Sequence, residues 1–564
     1  MTEITSIHLQ GVIEERLIMK ILQLIIIGLV AFMGSCTTAQ NDLEHPKHER
    51  RILYNSDAAN AFSEFWSDGA TLSKMDGTAV RAIVRRGIDE LAQAGVDSLV
   101  MVVSDRFRTT WGPSKVLESE WRHPRAQDDG YNSLRDEEKL DFRQLMAELC
   151  QQRGMEFLGC IRMNDRHSGH PVGPFIQENP QWHLKLTGGP AIDFTPEPVR
   201  AKLLAYIEEL LATVKLDGLE LDYMRWCHMF PPGQGAKNAH LLNDFMQKTR
   251  ALLDAAAQRE SRKRLVLGVR VPQTLKECDY LGFDLTTWIK EGLVDFVVPS
   301  DFFYTDLNTR VEEYVELAKG TECKIYPAIH PITHRGDDVG INNLSHYRAA
   351  AQNFFAKGAA GIEAYNYQYH WGRRIGRDTP WSGYMWPAAL GYLRHLRDPQ
   401  DISTHDRHYR FYPLWGIEEG IAPTGIDVKN DWIKLDRGKT DTSGTQLFRL
   451  AEDLRTPKVR ATLQFKAVGL KEDESLEVRL NGSVVPDNQT TRRFDADGQN
   501  QWEGRVLHPF YLYMIDLNGN PGKPPLINGD NELTVRLINK NDQMQEKVII
   551  EELEVYIYLR GELS

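Results

Sequence analysis

The chain has 564 residues and little cysteine: six residues in all, with no CxxC pair. Cys36 ends an apolar run near the start, and the others are scattered along the chain at Cys150, Cys160, Cys227, Cys278 and Cys323. This spacing excludes a disulfide framework and the usual cysteine-rich zinc site. Several of these cysteines lie in apolar stretches, so we expect small core residues at these positions.

An excess of positive charge is also absent. The formal net charge is −12, with 67 Lys and Arg against 79 Asp and Glu. A nucleic-acid-binding protein would show a basic footprint, so nucleic acid is not expected as a partner. The hydrophobic fraction of 41% and the charged fraction of 26% are those of a globular protein, and the length indicates two or three domains.

Several catalytic motifs are missing. The histidines His167, His228, His330 and His370 are too widely spaced to form an HxH or HExxH ligand pattern, and no GxSxG elbow is present. Metal-assisted hydrolysis and a serine nucleophile are therefore disfavoured. The segment YNSDAAN (54–60) is not a glycine-rich phosphate loop, which argues against a dinucleotide-binding sheet. We predict neither a metal nor a cofactor.

One long apolar run, ILQLIIIGLVAFMG (21–34), follows Met19-Lys20. It is too short to span a bilayer comfortably, so it indicates a secretory signal. Gly34-Ser35-Cys36 resembles the lipobox of bacterial lipoproteins, which implies lipidation of Cys36; an uncleaved anchor or a plain signal peptide is the alternative. We expect an exported protein that meets the bacterial outer membrane only through this lipid anchor and faces the periplasm or the cell surface.

From about residue 50, short apolar runs that end in polar residues alternate with amphipathic helical stretches. The eight runs are RILYNSD (51–57), DSLVMVVSD (97–105), MEFLGCIRMND (155–165), LDGLELDY (216–223), RLVLGVRVP (264–272), VDFVVPSD (294–301), CKIYPAIHP (323–331) and AAGIEAYNY (359–367). Eight strands that alternate with helices predict an α/β fold, the (β/α)8 TIM barrel, and a doubly wound open sheet is the structural competitor.

After about residue 430 the pattern changes to alternating, β-branched runs broken by NG, DG, NGN and GDN turns. This pattern is typical of an antiparallel β-sandwich. Residues 1–36 are predicted to be an over-extended start, before Met19, followed by the lipoprotein signal peptide. After them we predict a tether (37–48), a catalytic barrel (49–400), a linker or docking segment (401–430) and a β-sandwich accessory domain (431–564).

The predicted fourth strand, in LDGLELDYMRW (216–226), ends in charged residues although a buried strand should be apolar. In such barrels the chemistry lies at the carboxyl ends of the strands. Strand alternation puts Glu220 and Asp222 on one side and Leu219 and Leu221 on the other. Since the leucines must pack against helices, we expect both carboxylates inside the barrel, with Asp222 nearer the mouth.

Other predicted strands also end in polar or aromatic residues. Aromatic faces stack on the C–H faces of sugars, and carboxylates and amides bind hydroxyls, so the mouth is predicted to bind carbohydrate. The substrate-binding candidates are Asn55, Asp57, Asp105, Arg162, Asn164, Arg225, Trp226, Arg270, Tyr304, His330, Tyr365 and Asn366. Each of these residues alone is equally consistent with packing at the rim or with a structural ion pair. The same alternative holds for Glu220 of the fourth strand, which would then pair with Arg162 or Arg270.

Cleavage of a glycosidic bond needs two flanking carboxyl groups, one as proton donor and the other as nucleophile or base. The candidates for these catalytic roles are Asp222, Asp301, Glu220 and Glu363. The sequence therefore predicts a glycoside hydrolase that acts on a polysaccharide or oligosaccharide. A non-catalytic glycan-binding lipoprotein on a degenerate barrel, and a sugar lyase or isomerase on the same fold, are the alternatives.

Two segments carry a resemblance to a family. VKLDGLELDYMRW (214–226) resembles the fourth-strand segment of the bacterial family-10-like glycosyl hydrolases, and DLTTWIKEGLVDFVVPSDFFY (284–304) is similar to their sixth-strand segment. IRMNDRH (161–167) adds support, and the likeness covers most of residues 50–400. It implies a secreted or lipid-anchored (β/α)8 enzyme. PSD stands where this group more often has PQ, which puts the acid Asp301 in place of an amide.

Aspartates at the ends of the fourth and sixth strands resemble the layout of the retaining α-galactosidase-type barrels, which implies Asp222 as nucleophile and Asp301 as acid/base. Glu220 and Glu363 would then bind hydroxyls or tune neighbouring pKa values. The C-terminal domain resembles accessory jelly-roll domains, which bind carbohydrate or brace the barrel. The arginines at the mouth suggest an anionic substrate, although they could equally pair with the four carboxylates; they are Arg106, Arg162, Arg225 and Arg270.

Overall fold

The computed structural model describes most of the chain after residue 47. The described residues are 48–56, 76–119, 138–165, 173–186, 191–302, 304–331, 342–367, 388–411, 432–440, 442–456, 458–496, 501–502, 505–506, 509–518, 525–540 and 546–559. The predicted signal sequence with Cys36, residues 37–47 of the predicted tether, and the candidate Asp57 lie outside them. Within these ranges no helix combines the length and the apolar character needed to cross a bilayer.

A curled parallel sheet forms the first part of the structure. The strands up to residue 365 are β1 (Arg51–Ser56), β2 (Ser98–Asp105), β3 (Arg108–Thr109), β4 (Glu118–Ser119), β5 (Glu156–Arg162), β6 (His183–Leu184), β7 (Ala191–Ile192), β8 (Gly218–Asp222), β9 (Val266–Val271), β10 (Phe296–Pro299), β11 (Lys324–Ile325), β12 (Ala328–Ile329) and β13 (Gly361–Tyr365). The barrel strands pair in parallel in the order β11-β10-β9-β8-β5-β2-β1-β13-β12. The predicted barrel is thereby confirmed.

The predicted seventh strand is present in two pieces, β11 and β12. Proline has no N–H group for a strand ladder, and Pro327 stands between the two pieces. β11 pairs with β10, β12 pairs with β13, and the carbonyl of Pro327 accepts a hydrogen bond from the N–H of Glu363 at 3.1 Å. Since the two pieces belong to one chain segment, the strand path returns to its start and the barrel closes.

Helices cover the outside of this sheet. They are α1 (Gly77–Gln93), α2 (Phe142–Gln151), α3 (Pro174–Gln177), α4 (Glu197–Thr213), α5 (Gly235–Arg259), α6 (Leu275–Leu281), α7 (Leu285–Lys290), α8 (Val311–Ala318), α9 (Leu344–Ala356), α10 (Ala388–Arg394) and α11 (Pro399–Ser403), with 3-10 turns at Pro180–Trp182 and Asp487–Gln489. In α1, Asp76 caps the first turn by accepting from the N–H of Ala79, and Val80, Val84 and Leu91 are buried along one face.

The C-terminal part is antiparallel. Its strands are β14 (Arg407–Phe411), β15 (Ile433–Leu435), β16 (Ser443–Leu450), β17 (Val459–Val468), β18 (Ser475–Leu480), β19 (Ser483–Val484), β20 (Thr490–Asp495), β21 (Gln501–Trp502), β22 (Arg505–Val506), β23 (Phe510–Asp516), β24 (Gly529–Ile538) and β25 (Val548–Leu559). One sheet has the order β14-β25-β17-β23-β20, with β15 also on β25, and a second has the order β16-β24-β18-β19. This confirms the predicted antiparallel β domain. β14 belongs to its main sheet although it lies in the predicted linker.

Candidate active site

Glu220 and Asp222 lie inside the barrel, as the strand alternation predicts. Neither is exposed to solvent, and each contacts a strand on another side of the barrel. The side-chain amide of Asn55 in β1 donates to Glu220 Oε1 at 2.9 Å, and the hydroxyl of Tyr365 in β13 donates to Asp222 Oδ2 at 3.0 Å. In the sheet register, Asp222 lies level with Arg270 of the neighbouring strand β9.

Four groups hold the carboxylate of Asp222 at the end of β8. Arg270 Nη1 lies 3.0 and 3.1 Å from its two oxygens. The backbone N–H groups of Met224 and Arg225 donate to Oδ1 at 2.9 and 3.0 Å, and the Tyr365 hydroxyl donates to Oδ2. Hydrogen bonds with a charged partner are the stronger kind, so this carboxylate has a fixed orientation and a complementary charge beside it.

The guanidinium of Arg270 joins the ends of several strands. It lies 3.5 Å from the ring centroid of Tyr365, and it donates to Ser300 Oγ and to the backbone carbonyls of Asp301 and Phe302. Complete burial is the largest influence and would lower its pKa, but the surrounding acidic groups, with Asp222 the strongest, together outweigh it and raise the pKa of Arg270 from its ordinary value. The arginine is therefore a fixed cation at the centre of the site.

Glu220 of β8 and Glu363 of β13 form a buried carboxyl pair deeper in the barrel. Burial raises the pKa of Glu363 well above its ordinary range, with the charge of Glu220 as a second cause. Burial also raises the pKa of Glu220. Two neighbouring carboxylates would repel each other in this interior, which favours the protonated form of Glu363. The Cys160 thiol donates to Glu220 Oε1 at 3.4 Å.

The two arginines considered as partners of Glu220 have other contacts. Arg270 pairs with Asp222. Arg162, at the end of β5, donates to Asp165 Oδ2 at 3.1 Å and to the Tyr365 hydroxyl at 3.3 Å. These contacts form a network in which Tyr365 connects both arginine–aspartate pairs.

Asp301 follows β10 and belongs to a second acidic group. Its Oδ1 accepts from the N–H of Tyr304 at 2.8 Å. The side-chain amide of Gln273 donates to Asp301 Oδ2 at 3.3 Å and to Asp306 Oδ2 at 3.2 Å. Burial raises the pKa of Asp306 to about 6 and that of Glu277 to about 7, and the charge of Asp301 adds to both shifts. Glu277 and, to a smaller extent, Asp306 therefore bind protons at a higher pH than ordinary carboxyl groups do.

Gln273, Glu277 and Asp306 were not predicted from the sequence. They lie outside the predicted strand ends, since Gln273 belongs to the turn between β9 and α6, Glu277 to the first turn of α6, and Asp306 to the loop after β10. One signal was present: Asp306 follows Asp301 by five residues in SDFFYTD (300–306). A turn brings these carboxylates together, and strand periodicity contains no information about such a turn.

Two further candidates have partners within the protein. His330 Nε2 lies 3.2 Å from Ser300 Oγ, and burial, with the charge of Arg270, lowers the pKa of His330 well below its ordinary value, so the ring is neutral. The Asn164 amide donates to the carbonyls of Ile192 and His228. Asn164 thus joins two loops at the mouth.

Three residues at the mouth have left-handed backbone conformations. The φ angles are 46° at Arg106, 62° at Trp226 and 50° at Asn366, each just after a barrel strand or within a few residues of one. This conformation costs an L-residue free energy, and such strain is common at functional sites. The Arg225 guanidinium lies 5.1 Å from the ring centroid of Trp226 and 4.7 Å from that of Phe302.

All described candidates are buried. The most exposed are Asp105 and Trp226, both at 8%, whereas Tyr304, Tyr365 and the two glutamates are at 0%. In the described part of the chain, no group of three or more His, Cys, Asp or Glu side chains could hold a metal ion. The five described cysteines are free and buried.

No protein-family model and no curated protein matches the sequence. Among solved structures, the chain is similar to α-L-fucosidase isoenzyme 2 from Paenibacillus thiaminolyticus (13% identity, TM-score 0.38, 64% of this chain and 51% of that one). It is also similar to an α-amylase from Geobacillus thermoleovorans (12%, 0.36, 87% and 99%) and to the PgaB (BpsB) glycoside hydrolase domain from Bordetella bronchiseptica (12%, 0.38, 62% and 99%). The chain spans about half the length of the fucosidase.

Proposed function

We propose that the protein is a glycoside hydrolase that cleaves a polysaccharide or oligosaccharide at the barrel mouth. The observation that carries this proposal is the arrangement of Asp222, a carboxylate at the end of the fourth barrel strand that is oriented by Arg270 and Tyr365. In this fold, reacting groups lie at the carboxyl ends of the strands. Glycoside cleavage requires a carboxylate of fixed orientation together with a carboxyl group that supplies a proton.

In the proposed reaction Asp222 is the nucleophile and Asp301 is the acid/base. An Asp222 oxygen bonds to the anomeric carbon while Asp301 gives its proton to the departing glycosidic oxygen. Water then attacks the same carbon and gives a proton to Asp301, and the ester bond to Asp222 breaks. Both aspartates return to their starting states.

The surroundings of the two aspartates suit these different roles. Asp222 faces a cation, whereas Asp301 shares the Gln273 amide with Asp306 and lies close enough to Glu277 to affect its titration. Neighbouring carboxylates favour retention of a proton, which an acid catalyst needs. Two titratable groups in environments of opposite character are the usual arrangement for a nucleophile and an acid.

A non-catalytic glycan-binding protein is the second candidate. It is favoured by the fact that Asp222 is fully buried and that both of its oxygens already accept hydrogen bonds. In that case the Asp222–Arg270 pair would hold the barrel strands in place. Sugar binding without bond cleavage would then be the only activity of the mouth.

The charge of the substrate stays a prediction. Arg106, Arg162 and Arg270 lie 3.0–3.1 Å from carboxylate oxygens of Asp105, Asp165 and Asp222. Such pairs neutralise much of the positive charge at the mouth. An anionic sugar would bind if its uronate or sulfate group took the place of the aspartate as the ion-pair partner of one of these arginines. Good activity on neutral glycans and low activity on anionic ones would contradict an anionic substrate.

The test is reducing-end release from a panel of neutral and anionic polysaccharides by the wild type and by Asp222→Asn. We expect product from the wild type and at least a ~10³-fold lower rate from the variant, because a catalytic carboxylate is lost. Asp97→Asn is the matched control. Asp97 is a buried barrel aspartate that accepts from the N–H of Ile52 near the amino end of β1, away from the barrel mouth. Azide added to Asp222→Gly should restore cleavage if Asp222 is the nucleophile.

Equal product from the wild type and from Asp222→Asn would contradict a catalytic role of Asp222. Binding of sugar without product from either protein would support the non-catalytic candidate.

A further inference from the structure

The loop after β10 carries Asp301, and its inner side is attached to Gln273. This acid loop comprises residues 300–310, of which 303 lies outside the described part of the chain. The Gln273 amide contacts the carboxylates of Asp301 and Asp306, and the carbonyl of Gln273 accepts from the N–H of Arg310 at 3.1 Å. Through its side chain and its backbone carbonyl, this one residue just after β9 therefore connects both ends of the acid loop.

The outer side of the acid loop contacts the C-terminal β domain. The Asn308 amide donates to the carbonyl of Leu447 in β16 at 3.3 Å, and Arg310 pairs with Asp530 of β24 at 3.1 Å. Arg449 of β16 donates to the carbonyl of Thr309 at 3.4 Å. The acid loop therefore lies between Gln273 inside and two strands of the β domain outside.

Arg449 joins residues of both parts of the protein in this interface. It is 3% exposed, and it pairs with Glu312 at 2.8 Å and with Asp530 at 2.6 Å in addition to its contact with Thr309. A buried arginine is tolerated only where its charge and its donors are matched. Its partners come from both parts of the protein, because Glu312 belongs to α8 and Asp530 to β24.

Asn353 of α9 completes the same interface from the barrel side. Its amide nitrogen donates to the carbonyls of Leu307 and Arg449 at 3.2 and 2.8 Å, and its oxygen accepts from the N–H of Ala451 at 2.9 Å. The side chain is 2% exposed. One amide thus fixes the acid loop and β16 relative to each other.

We propose that the C-terminal β domain clamps the acid loop, and that Arg449 and Asn353 are positioning residues for Asp301. The clamp rests on the contacts alone, whereas its effect on catalysis rests on the proposed function. The connection runs from Arg449 to Thr309, whose N–H and hydroxyl donate to the Asp306 carbonyl at 3.3 and 2.9 Å. It continues from Asp306 through Gln273 to Asp301. The β domain is therefore part of the machinery that orients the acid.

The experiment uses the full-length chain and the substitution Arg449→Gln. Hydrogen–deuterium exchange of peptides that cover residues 304–310 should become about tenfold faster, because loss of the clamp lets this segment open. With an active substrate, kcat should fall about tenfold with little change in KM, since a small misplacement of a catalytic group affects mainly the chemical step. The alkaline limb of the pH–rate profile should also move to lower pH as water reaches Asp301.

Arg437→Gln is the matched control. Arg437 is fully buried and pairs with Glu474 entirely within the β domain. This variant should lose stability without faster exchange in the acid loop and without a shift of the pH profile. Asp530→Asn should weaken the clamp more mildly. The side chain of Asp530 contacts both Arg449 and Arg310, but it is 61% exposed, so its replacement should disturb folding less. It decides the question if Arg449→Gln does not fold.

Unchanged exchange in the acid loop of Arg449→Gln, or of Asp530→Asn where the first variant does not fold, would overturn the clamp. Faster exchange in an otherwise unaltered active enzyme, with the same kcat and pH profile, would overturn the positioning role. Faster exchange in a protein that cleaves no glycan would support the clamp and count against the proposed function instead.

Discussion

Tyr365 is the residue that connects the two arginine–aspartate pairs of the mouth. Its hydroxyl donates to Asp222 and accepts from Arg162, and its ring packs against the guanidinium of Arg270. Burial in such a network is favourable only when every member has its partners, and removal of one member leaves the others unsatisfied. The orientation of Asp222 therefore depends on residues from three other strands, β5, β9 and β13, which explains why these side chains are buried together.

The buried pair of Glu220 and Glu363 predicts a dependence of stability on pH. Burial, together with the Glu220 charge, raises the pKa of Glu363 in the folded state. The stability that its protonated form contributes is fully present below the unfolded-state value of about 4.3, and it is lost as the pH rises through the folded-state value. Glu363→Gln stays neutral and keeps the shape, so this loss should disappear.

Thermal unfolding of the wild type and of Glu363→Gln between about pH 5 and about pH 9 measures this effect. The variant should unfold at a temperature roughly 2 °C or more above that of the wild type at the alkaline end, with a smaller difference at the acid end. Glu316→Gln is the control, because Glu316 is 75% exposed. Parallel curves for the wild type and Glu363→Gln would contradict a proton held by the pair.

Alternation along single strands predicted which residues enter the barrel. Glu220 and Asp222 were placed inside because the side-chain period of a strand is two and Leu219 and Leu221 needed an apolar neighbour. The actual partner of Glu220, by contrast, depends on how strands distant in sequence are arranged around the barrel. Glu363 belongs to a segment more than a hundred residues away, so no local pattern indicates the contact.

At the level of elements, the sequence predicted the strands and helices well but missed one interruption. The predicted run RILYNSD (51–57) contains β1 (Arg51–Ser56), and LDGLELDY (216–223) contains β8 (Gly218–Asp222). The run CKIYPAIHP was predicted as one strand, although Pro327 within it was a signal for a break. The place of β14 in the C-terminal sheet could not be predicted, because its partner β25 lies far away in sequence.

A histidine pair joins α9 to the C-terminal sheet. His346 Nδ1 accepts from the N–H of Asn343, so its Nε2 donates to His408 Nδ1 at 2.7 Å, and His408 Nε2 donates to Glu554 at 3.0 Å. Burial lowers the pKa of both rings, and the charge of the nearby Arg410 adds to this; Glu554 opposes the shift at His408 without reversing it. Tyr556 also faces this group and stacks on His408. Both histidines are thus neutral in the folded protein.

This arrangement predicts a loss of stability in mild acid. A histidine with a lowered folded-state pKa contributes stability above the unfolded-state value of about 6.5, and this contribution is lost as the pH falls below that value. The unfolding temperature of the wild type should therefore fall between about pH 7.5 and about pH 5.5. His408→Gln should be less stable at the upper end and show a smaller fall. Equal slopes in the two proteins, with exposed His240→Gln as the control, would contradict the prediction.

At the scale of the whole molecule, the barrel and the β domain share buried polar groups. Asn353 and His346 of α9, Arg449 of β16 and His408 of β14 have partners in the other part of the protein. Separation of the two parts would replace these hydrogen bonds with bonds to water, at a cost of about 0.5–1.5 kcal/mol for each bond. Independent folding of the two parts is therefore disfavoured.

Calorimetry of the chain from residue 48 to 564 should consequently show one cooperative transition. A chain that ends at residue 405 loses β14 and all later strands and should unfold at least ~5 °C lower, because α9 and the acid loop lose their buried partners. Arg449→Gln should shift the single transition without dividing it. Two separate transitions in the wild type, with the barrel transition unaffected by truncation, would show that the β domain is attached without supporting the barrel. Such a result would also remove the physical basis for a clamp on Asp301.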